Sequence, residues 1–488
     1  MAEQAAARSL DFLDPRLKAL CAAYLQEAQT PGASIAIVAG DRAYHLAYGV
    51  KSLRTGEPLT ATTAINIGSC SKAFVSAAMA SLVADKLASW DDPVSKWVPE
   101  FQLHDAALTR QVTLRDLSGN RLGIPRAGLV EFGFDPSQSA AAALEGLRHT
   151  APVCGLRERH TYVNGGHTAV ALAVGRITGK GFLPTLRERI LAPLGMHATS
   201  GGVAARDELP DQSGWHCLVD GRTQAIDTVH SDWYLGGGGM SVSGADALQW
   251  LRFHLNGGLV DGRQIVPREA LLETHTPQIV AWPRKDIISL FHPGAHMAAY
   301  GLGWAVTELE GHPLVIHSGG DFGIAAMTLL FPRDDIGIAC YCNSSGRGTV
   351  PLPYALAACL LGLKPRDWKA CFEAAMPVGA PAAAAVAASG TTTDSGIHAG
   401  RYSHPADGEL LIERDGSGLK GNFLRGYRMA FTAAPAGDRR FVIQFQSPEW
   451  RSLTAAEKPL LVFGADDGPG TTVDWVVGTL SRRFTRDA

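Results

Sequence analysis

The chain has 488 residues, of which 46% are hydrophobic and 19% charged, and its formal net charge is −3. That is the composition of an ordinary globular protein of two or three domains, long enough to bury a large core without covalent staples. No basic field is available to hold a phosphate backbone, so nucleic acid is not an expected partner.

Residues 14–28 read as a surface helix. "ASIAIVAG" and "YHLAYGV" flank "GDR" and predict a strand–turn–strand hairpin. After "GSCSK" comes "AFVSAAMASLVADKL", apolar nearly all round, which predicts a buried central helix. "GGHTAVALAVGRITG" and "LPTLRERILAPLG" predict two more helices, closed by Gly179 and Gly195. "GADALQWLRFHLNGG" predicts another, ending in a glycine pair. "PLVIHSGG", "GIAAMTLLFP" and "IGIACYCN" then read as three successive strands. Strands open this region, helices fill its middle and strands close it. The order predicts an α+β fold, an antiparallel sheet with segregated helices, over residues 1–365.

The composition shifts near residue 375. "AAMPVGAPAAAAVAASGTTTDSG" marks a linker, placed at 366–395. Beyond it, "GELLIERDGSGLKGNF", "GYRMAFTAA", "RRFVIQFQ" and "KPLLVFGAD" are strand-length runs with Gly/Asp turns. Residues 396–488 are therefore expected to form a small all-β, barrel-like domain.

Eight cysteines occur, none in a C-x-x-C pair. Cys340 and Cys342, two apart on one predicted strand, share a face and cannot easily bridge. Free thiols in a reducing compartment are expected. The opening "MAEQAAARSLDFLDPRLKALCAAYL" lacks the apolar core and small residues of a signal peptide. No unbroken apolar run approaches the ~18 residues of a transmembrane helix. These features predict a cytoplasmic protein with no membrane partner, or a periplasmic or secreted one if a leader has been removed. Self-association into a homo-oligomer is left open.

"GSCSKAF", residues 68–74, carries the first chemistry. On a helix, Ser69 and Lys72 share one face of the first turn. Serine is a poor nucleophile until its proton is taken, and a lysine in an apolar setting holds its own proton less tightly. The helix N-terminus adds N–H groups and a positive dipole end for a developing negative charge. Cys70 points away from the Ser69 face, and Ser71 has no base at i+3 or i+4. Ser-x-x-Lys is a common spacing and recurs at Ser417–Lys420, in what reads as a hairpin turn. "HTYVNGG" adds Tyr162 and Asn164, which share one side of an extended segment before a helix. The phenol suits proton exchange with serine and leaving group, and the amide suits an acyl group. The second Tyr-x-Asn, at Tyr341–Asn343, follows a buried strand run and reads as structural. A third catalytic group is expected on a strand beside the nucleophile, and "VIHSGGDFG" places His317 and Gly319, followed by Gly320, at a strand end. Such glycines let substrate approach and can leave N–H groups for an oxyanion hole.

In this order, Ser-x-x-Lys, Tyr-x-Asn and a strand His-x-Gly resemble the signature of the serine β-lactamase and penicillin-binding-protein superfamily. The likeness falls on the branch of class C β-lactamases, D-aminopeptidases and related esterases. "LASWDDPVSKWVPEF", "VTLRDLSGNRLGIP", "ILAPLGMHATS", "GGGGMSVSGADALQW" and "YGLGW" look like family segments too, so the resemblance spans about residues 10–362. It implies that Ser69 is acylated, with Lys72 as its base partner. Tyr162 would then shuttle the proton and Asn164 contact the acyl side chain. The N–H groups of Ser69 and Gly320 would form the oxyanion hole. The C-terminal domain resembles the lipocalin-like barrel of D-aminopeptidase-like relatives, where in some cases it covers or lines the cleft. "GNFLRGYRM" and "SPEWRSL" have the aromatic and arginine content for that.

Two departures stand out. His317 occupies the place where β-lactamases and carboxypeptidases of this superfamily usually have lysine. A histidine is only partly charged near neutral pH, so less reliance on a substrate carboxylate is expected. Asn120 and Arg121 depart from the usual cleft-side loop, so Arg121 is either a substrate contact or a surface ion pair. The leading expectation is a serine hydrolase of small or unusual peptides, of aminopeptidase or amidase type. Carboxylesterase or weak β-lactamase is the alternative, and a non-catalytic peptide-binding scaffold the third reading. The substrate would be a small peptide, amide or ester. No metal or other cofactor is expected: H-E-x-x-H is absent and the sixteen histidines show no ligand spacing.

Overall fold

The computed structural model describes residues 15–125, 139–202, 209–227, 232–281, 292–345, 350–375, 395–424, 429–437, 439–454, 459–464, 471–477 and 480–487. Helix α1 is Pro15–Glu27, and the expected hairpin is β1 Gly32–Ala39 and β2 Arg42–Gly49. The buried helix, α2, is Ser71–Ala84, with twelve of its fourteen residues inside. Helix α3 is Asn164–Thr178. The next predicted helix runs Phe182–Leu186 and then widens into a π turn, Arg187–Leu191. A hairpin follows, β3 Trp215–Val219 and β4 Arg222–Ile226, and then helix α4, Gly244–Leu255. Strands β5 Ile279–Val280, β6 Ala299–Tyr300, β7 Ala305–Leu309, β8 His312–Asp321, β9 Ile324–Phe331 and β10 Ile336–Cys342 complete this part.

The main sheet is antiparallel, in the order β5-β6-β7-β8-β9-β10-β1-β2. The first and last strands of this part, β1 and β10, pair one strand in from the β2 edge, where Ile35 pairs with Cys340 and Ile37 with Ile338. Strand β1 is buried on both faces because its alternate side chains feed two cores. Ala36 and Val38 join the core of α2, α3 and α4, where Phe74 stacks on Trp250 at 3.9 Å. Ile35 and Ile37 join the core under α1 and helix α5, Pro351–Leu360. The linker expected over 366–395 opens with a helix, α6 Trp368–Ala375, whose Trp368 and Phe372 rings pack on Tyr354. Two large aromatic side chains four apart give this stretch an apolar face to bury.

The C-terminal strands are β11 Gly400–His404, β12 Gly408–Asp415, β13 Gly418–Phe423, β14 Ala430–Pro435, β15 Arg440–Phe445, β16 Leu460–Phe463, β17 Thr472–Val477 and β18 Leu480–Arg486. Each pairs antiparallel with the next, and β11 pairs with β18, so the barrel closes and leaves no open edge. Helix α7, Pro448–Thr454, spans β15 and β16. The "SPEWRSL" stretch, read from sequence as a loop, is helical from Pro448 on; of "GNFLRGYRM", residues 425–428 lie outside the described residues. The barrel core is continuous with Trp215, Cys217, Phe322 and Ile324 of the larger part. Among the described residues no helix is long and apolar enough to cross a membrane. All eight cysteines are unbridged.

Candidate active site

Ser69 lies in one 3-10 turn, Gly68–Cys70, that leads directly into α2. In such a turn side chains three apart eclipse, so Lys72 comes back over Ser69. Lys72 Nζ is 3.0 Å from Ser69 Oγ, 2.8 Å from Asn164 Oδ1 and 2.6 Å from the Gly237 carbonyl. The lysine is fully buried, while Ser69 keeps partial exposure. The Tyr162 ring centroid stands 4.9 Å from the same Nζ, within reach of a cation–π attraction. The first two motifs are therefore brought together.

Asn164 opens α3 and donates through Nδ2 to the Tyr234 hydroxyl at 3.1 Å. Tyr234 is buried in the turn Asp232–Gly236. A Cβ at Gly237 or Gly238 would stand 2.7 or 2.5 Å from its ring, so the glycine run packs flat beneath it. That packing turns the Gly237 carbonyl to Lys72. Sequence reasoning missed both groups; the available trace was a tyrosine two residues before four consecutive glycines.

The third motif comes from the end of β8. A Cβ on Gly319 would collide with the Ile67 carbonyl and stand 3.0 Å from Ser69 N. Gly68 has φ of +48°, and a Cβ there would lie 3.0 Å from Gly320 N. The backbones carrying the Ser69 and Gly320 N–H groups thus lie against each other, which only glycine at both positions permits. A Cβ on Gly320 meets nothing within 4 Å, so the space beside it is open.

His317 is fully buried. Its Nδ1 is 2.7 Å from the Ser318 carbonyl and its Nε2 is 2.9 Å from the Tyr300 hydroxyl. The carbonyl can only accept, so Nδ1 carries the hydrogen and Nε2 accepts from Tyr300. Burial, followed by the nearby Lys72 charge, pushes the imidazole pKa down to about 3. The expectation of a partly charged histidine is therefore corrected: desolvation keeps His317 neutral at neutral pH. Tyr300, also buried, has its pKa raised well above 10, mainly by desolvation, and remains a donor.

Cys70 donates to the His317 carbonyl at 3.2 Å, and burial pushes its thiol up to about 12, so it is inert. Two further histidines line the site and were missed from sequence. His160 packs 4.9 Å from the Tyr300 ring, and His167 is buried on α3 with its pKa pushed well down by desolvation and then by Lys72. Arg121 does not join this cluster. Its guanidinium reaches buried Asp116 at 2.6 Å, and Asp116 also takes Arg157 at 2.8 Å. The ion pair is made to a fully buried carboxylate rather than at the surface. The recurring motifs are structural. Ser417–Lys420 lies at the β12–β13 turn, where Lys420 pairs with Glu413, and Asn343 is tied to Gly32, Val50 and Lys51. Among the described residues no three His, Cys, Asp or Glu side chains are grouped to hold a metal ion.

The chain belongs to the Beta-lactamase family, whose model matches residues 17–359. It is 24% identical over 362 residues to unguisins hydrolase ungD' of Aspergillus campestris, covering 70% of this chain and 65% of that protein. It is 26% identical over 326 residues to protein flp of Staphylococcus aureus, covering 65% of this chain and 61% of that one. The chain thus spans less than two thirds of the length of these curated relatives. The fold is shared with the octameric penicillin-binding protein homologue from Pyrococcus abyssi, at a TM-score of 0.62 and 21% identity over 96% of this chain and 99% of that one. It is shared also with SurE, at a TM-score of 0.58 and 20% identity, covering 96% of this chain and 98% of that one. The architecture is a β-lactamase-like α+β fold followed by a closed eight-stranded barrel.

Proposed function

We propose that this chain is a serine hydrolase that forms an acyl-enzyme on Ser69 and cleaves amide bonds in small or unusual peptides. The observation that carries the reading is the threefold contact of buried Lys72 with Ser69 Oγ, Asn164 Oδ1 and the Gly237 carbonyl. Lys72 Nζ donates to all three oxygens; to act as base it gives up one proton, after which two hydrogens stay on the two carbonyl oxygens and the lone pair faces the serine hydroxyl. On attack, Ser69 Oγ bonds to the substrate carbonyl carbon and its proton passes to Lys72. The resulting ammonium keeps two acceptors and the face of the Tyr162 ring. The oxyanion takes hydrogen bonds from the N–H groups of Ser69 and Gly320. Tyr162 relays the proton to the leaving nitrogen as the C–N bond breaks, and Asn164 contacts the acyl side chain. Water then cleaves the ester by the same proton path in reverse.

The neutrality of His317 bears on the substrate. Both of its nitrogens are engaged within the protein, so it offers no positive charge to a carboxylate. A neutral His317 therefore favours a substrate without a carboxylate at that end, such as a blocked peptide, over a free carboxy-terminus. The name of one relative, unguisins hydrolase, is in keeping with hydrolysis. Esters and lactams pass through the same acyl-enzyme, so carboxylesterase or weak β-lactamase is the second reading. A homo-oligomer is in keeping with the octameric neighbour.

Initial rates on amino-acid p-nitroanilides of both stereochemistries, a p-nitrophenyl ester and a chromogenic lactam test the reading, with Ser69→Ala alongside. Anilide turnover lost in the mutant supports it. Ester turnover alone moves it to esterase, and rates that survive Ser69→Ala overturn it.

A further inference from the structure

The turn between β8 and β9 follows directly on Gly319 and Gly320, and the barrel grips it. Phe322 on this turn is 1% exposed, and its ring meets the barrel's Trp450, 2% exposed, edge to face at 5.0 Å. Trp450 lies on α7, seated against Phe445 of the barrel wall at 5.3 Å. The turn is held from a second side by the β3–β4 hairpin. His216 N–H donates to the Gly323 carbonyl at 3.3 Å, and a Cβ on Gly323 would stand 2.5 Å from Trp215 Cβ. The same α7 is fastened to this hairpin through Arg451–Asp220 and the Cys217 thiol on the Pro448 carbonyl. Phe322 and Ile324 belong to the barrel's own core cluster. The Ile324 Cδ1 atom would lie 3.1 Å from a Cβ on Gly68, the residue before the nucleophile. A packed path therefore runs from Trp450 through Phe322 and Ile324 to the backbone at Gly68, the residue before Ser69.

From this geometry we infer that Trp450 of the barrel is a positioning residue for the reaction, holding the Gly320 N–H in register with the Ser69 N–H through Phe322. The barrel acts from behind the third motif. The inference rests on the acyl-enzyme reading above, because an oxyanion-hole donor is sensitive to small displacements.

The test uses the full chain with Trp450→Ala, Trp450→Phe and Phe322→Leu. Active sites are titrated with a serine-directed phosphonate, and kcat is expressed per titrated site on whichever panel substrate the wild type turns over. Trp450→Ala and Phe322→Leu are expected to lower kcat per site by about tenfold or more, with KM changed less than about twofold. Trp450→Phe, which keeps a ring on Phe322, is expected to restore most of it. A merely structural role would lower the number of titratable sites and leave kcat per site unchanged. Should Trp450→Ala fail to fold, Phe322→Leu carries the same test from the other side of the contact. Values of kcat per site within twofold of wild type in the folded variants overturn the inference. If Ser69→Ala retains turnover, the acyl-enzyme reading itself has failed, an outcome distinct from an inactive Ser69→Ala beside a normal Trp450→Ala.

Discussion

The Tyr300 hydroxyl donates to Nε2 of His317 across 2.9 Å, so that both nitrogens of the third-motif histidine are bound within the protein. Tyr300→Phe removes the donor and leaves a buried acceptor unsatisfied. A loss of about 1–3 kcal/mol in unfolding free energy is expected, read by denaturant titration. A variant as stable as wild type would mean that the hydrogen bond carries no net energy.

Lys72→Arg separates charge from proton transfer. The guanidinium keeps the positive charge but does not deprotonate in proteins. If Lys72 takes the serine proton, Lys72→Arg and Ser69→Ala should both lower kcat by on the order of a thousandfold or more. An arginine variant with near-normal acylation by a phosphonate would show that only the charge at this position matters.

Gly319 and Gly320 are adjacent but should respond in opposite ways. At Gly319 a Cβ collides with the Ile67 carbonyl, whereas at Gly320 it enters open space. Gly319→Ala is expected to abolish turnover or folding. Gly320→Ala should fold with an unchanged melting temperature and alter only substrate preference. Equal melting temperatures and rates in the two variants would contradict the packing described.

Arg121→Ala should act on stability and leave KM alone. Removing it leaves the fully buried Asp116 with Arg157, whose side chain is 45% exposed, as its remaining ion-pair partner. A loss of up to about 3–5 kcal/mol is the ceiling for breaking a buried pair, reduced here by the surviving arginine. A raised KM at unchanged stability would restore Arg121 as a substrate contact.

Mild acid should destabilise the protein. Burial holds His317 at about 3 and His275 at about 4, and keeps His167 and His254 well below the ordinary 6.5. Between about pH 6.5 and 4 the unfolded chain binds protons that the native chain refuses, so stability is full above 6.5 and falls as pH drops. Each such histidine withholds about 1.4 kcal/mol per pH unit across its own window. The same values place no titration of His317 between pH 5 and 8, so a rate limb there must belong to another group. Melting temperatures measured from pH 8 to 5 check the first point, and the pH profile of Tyr300→Phe against wild type checks the second.

The sequence by itself determined the elements and the local motifs. Alternation and apolar runs marked β1, β2 and β8–β10, the apolar helix after Ser69 is α2, and the turn-punctuated runs after residue 400 close into a barrel. These follow from periodicity and turn chemistry, which are local. The Ser69–Lys72 pair was legible for the same reason, since three residues in one turn fix its geometry. Only the tertiary structure decided what surrounds the pair. The Gly237 carbonyl reaches Lys72 from 165 positions away in sequence, and the Tyr234 hydroxyl reaches Asn164 from 70 away, through packing of a glycine run that no local rule encodes. Burial, a property of the whole fold, made His317 neutral. It also drew Arg121 to Asp116, because a carboxylate withdrawn from water must be compensated by whatever cation is in reach. Helix α6 and the seat of Trp450 on Phe322 likewise depend on apolar surfaces that meet only once the chain has folded.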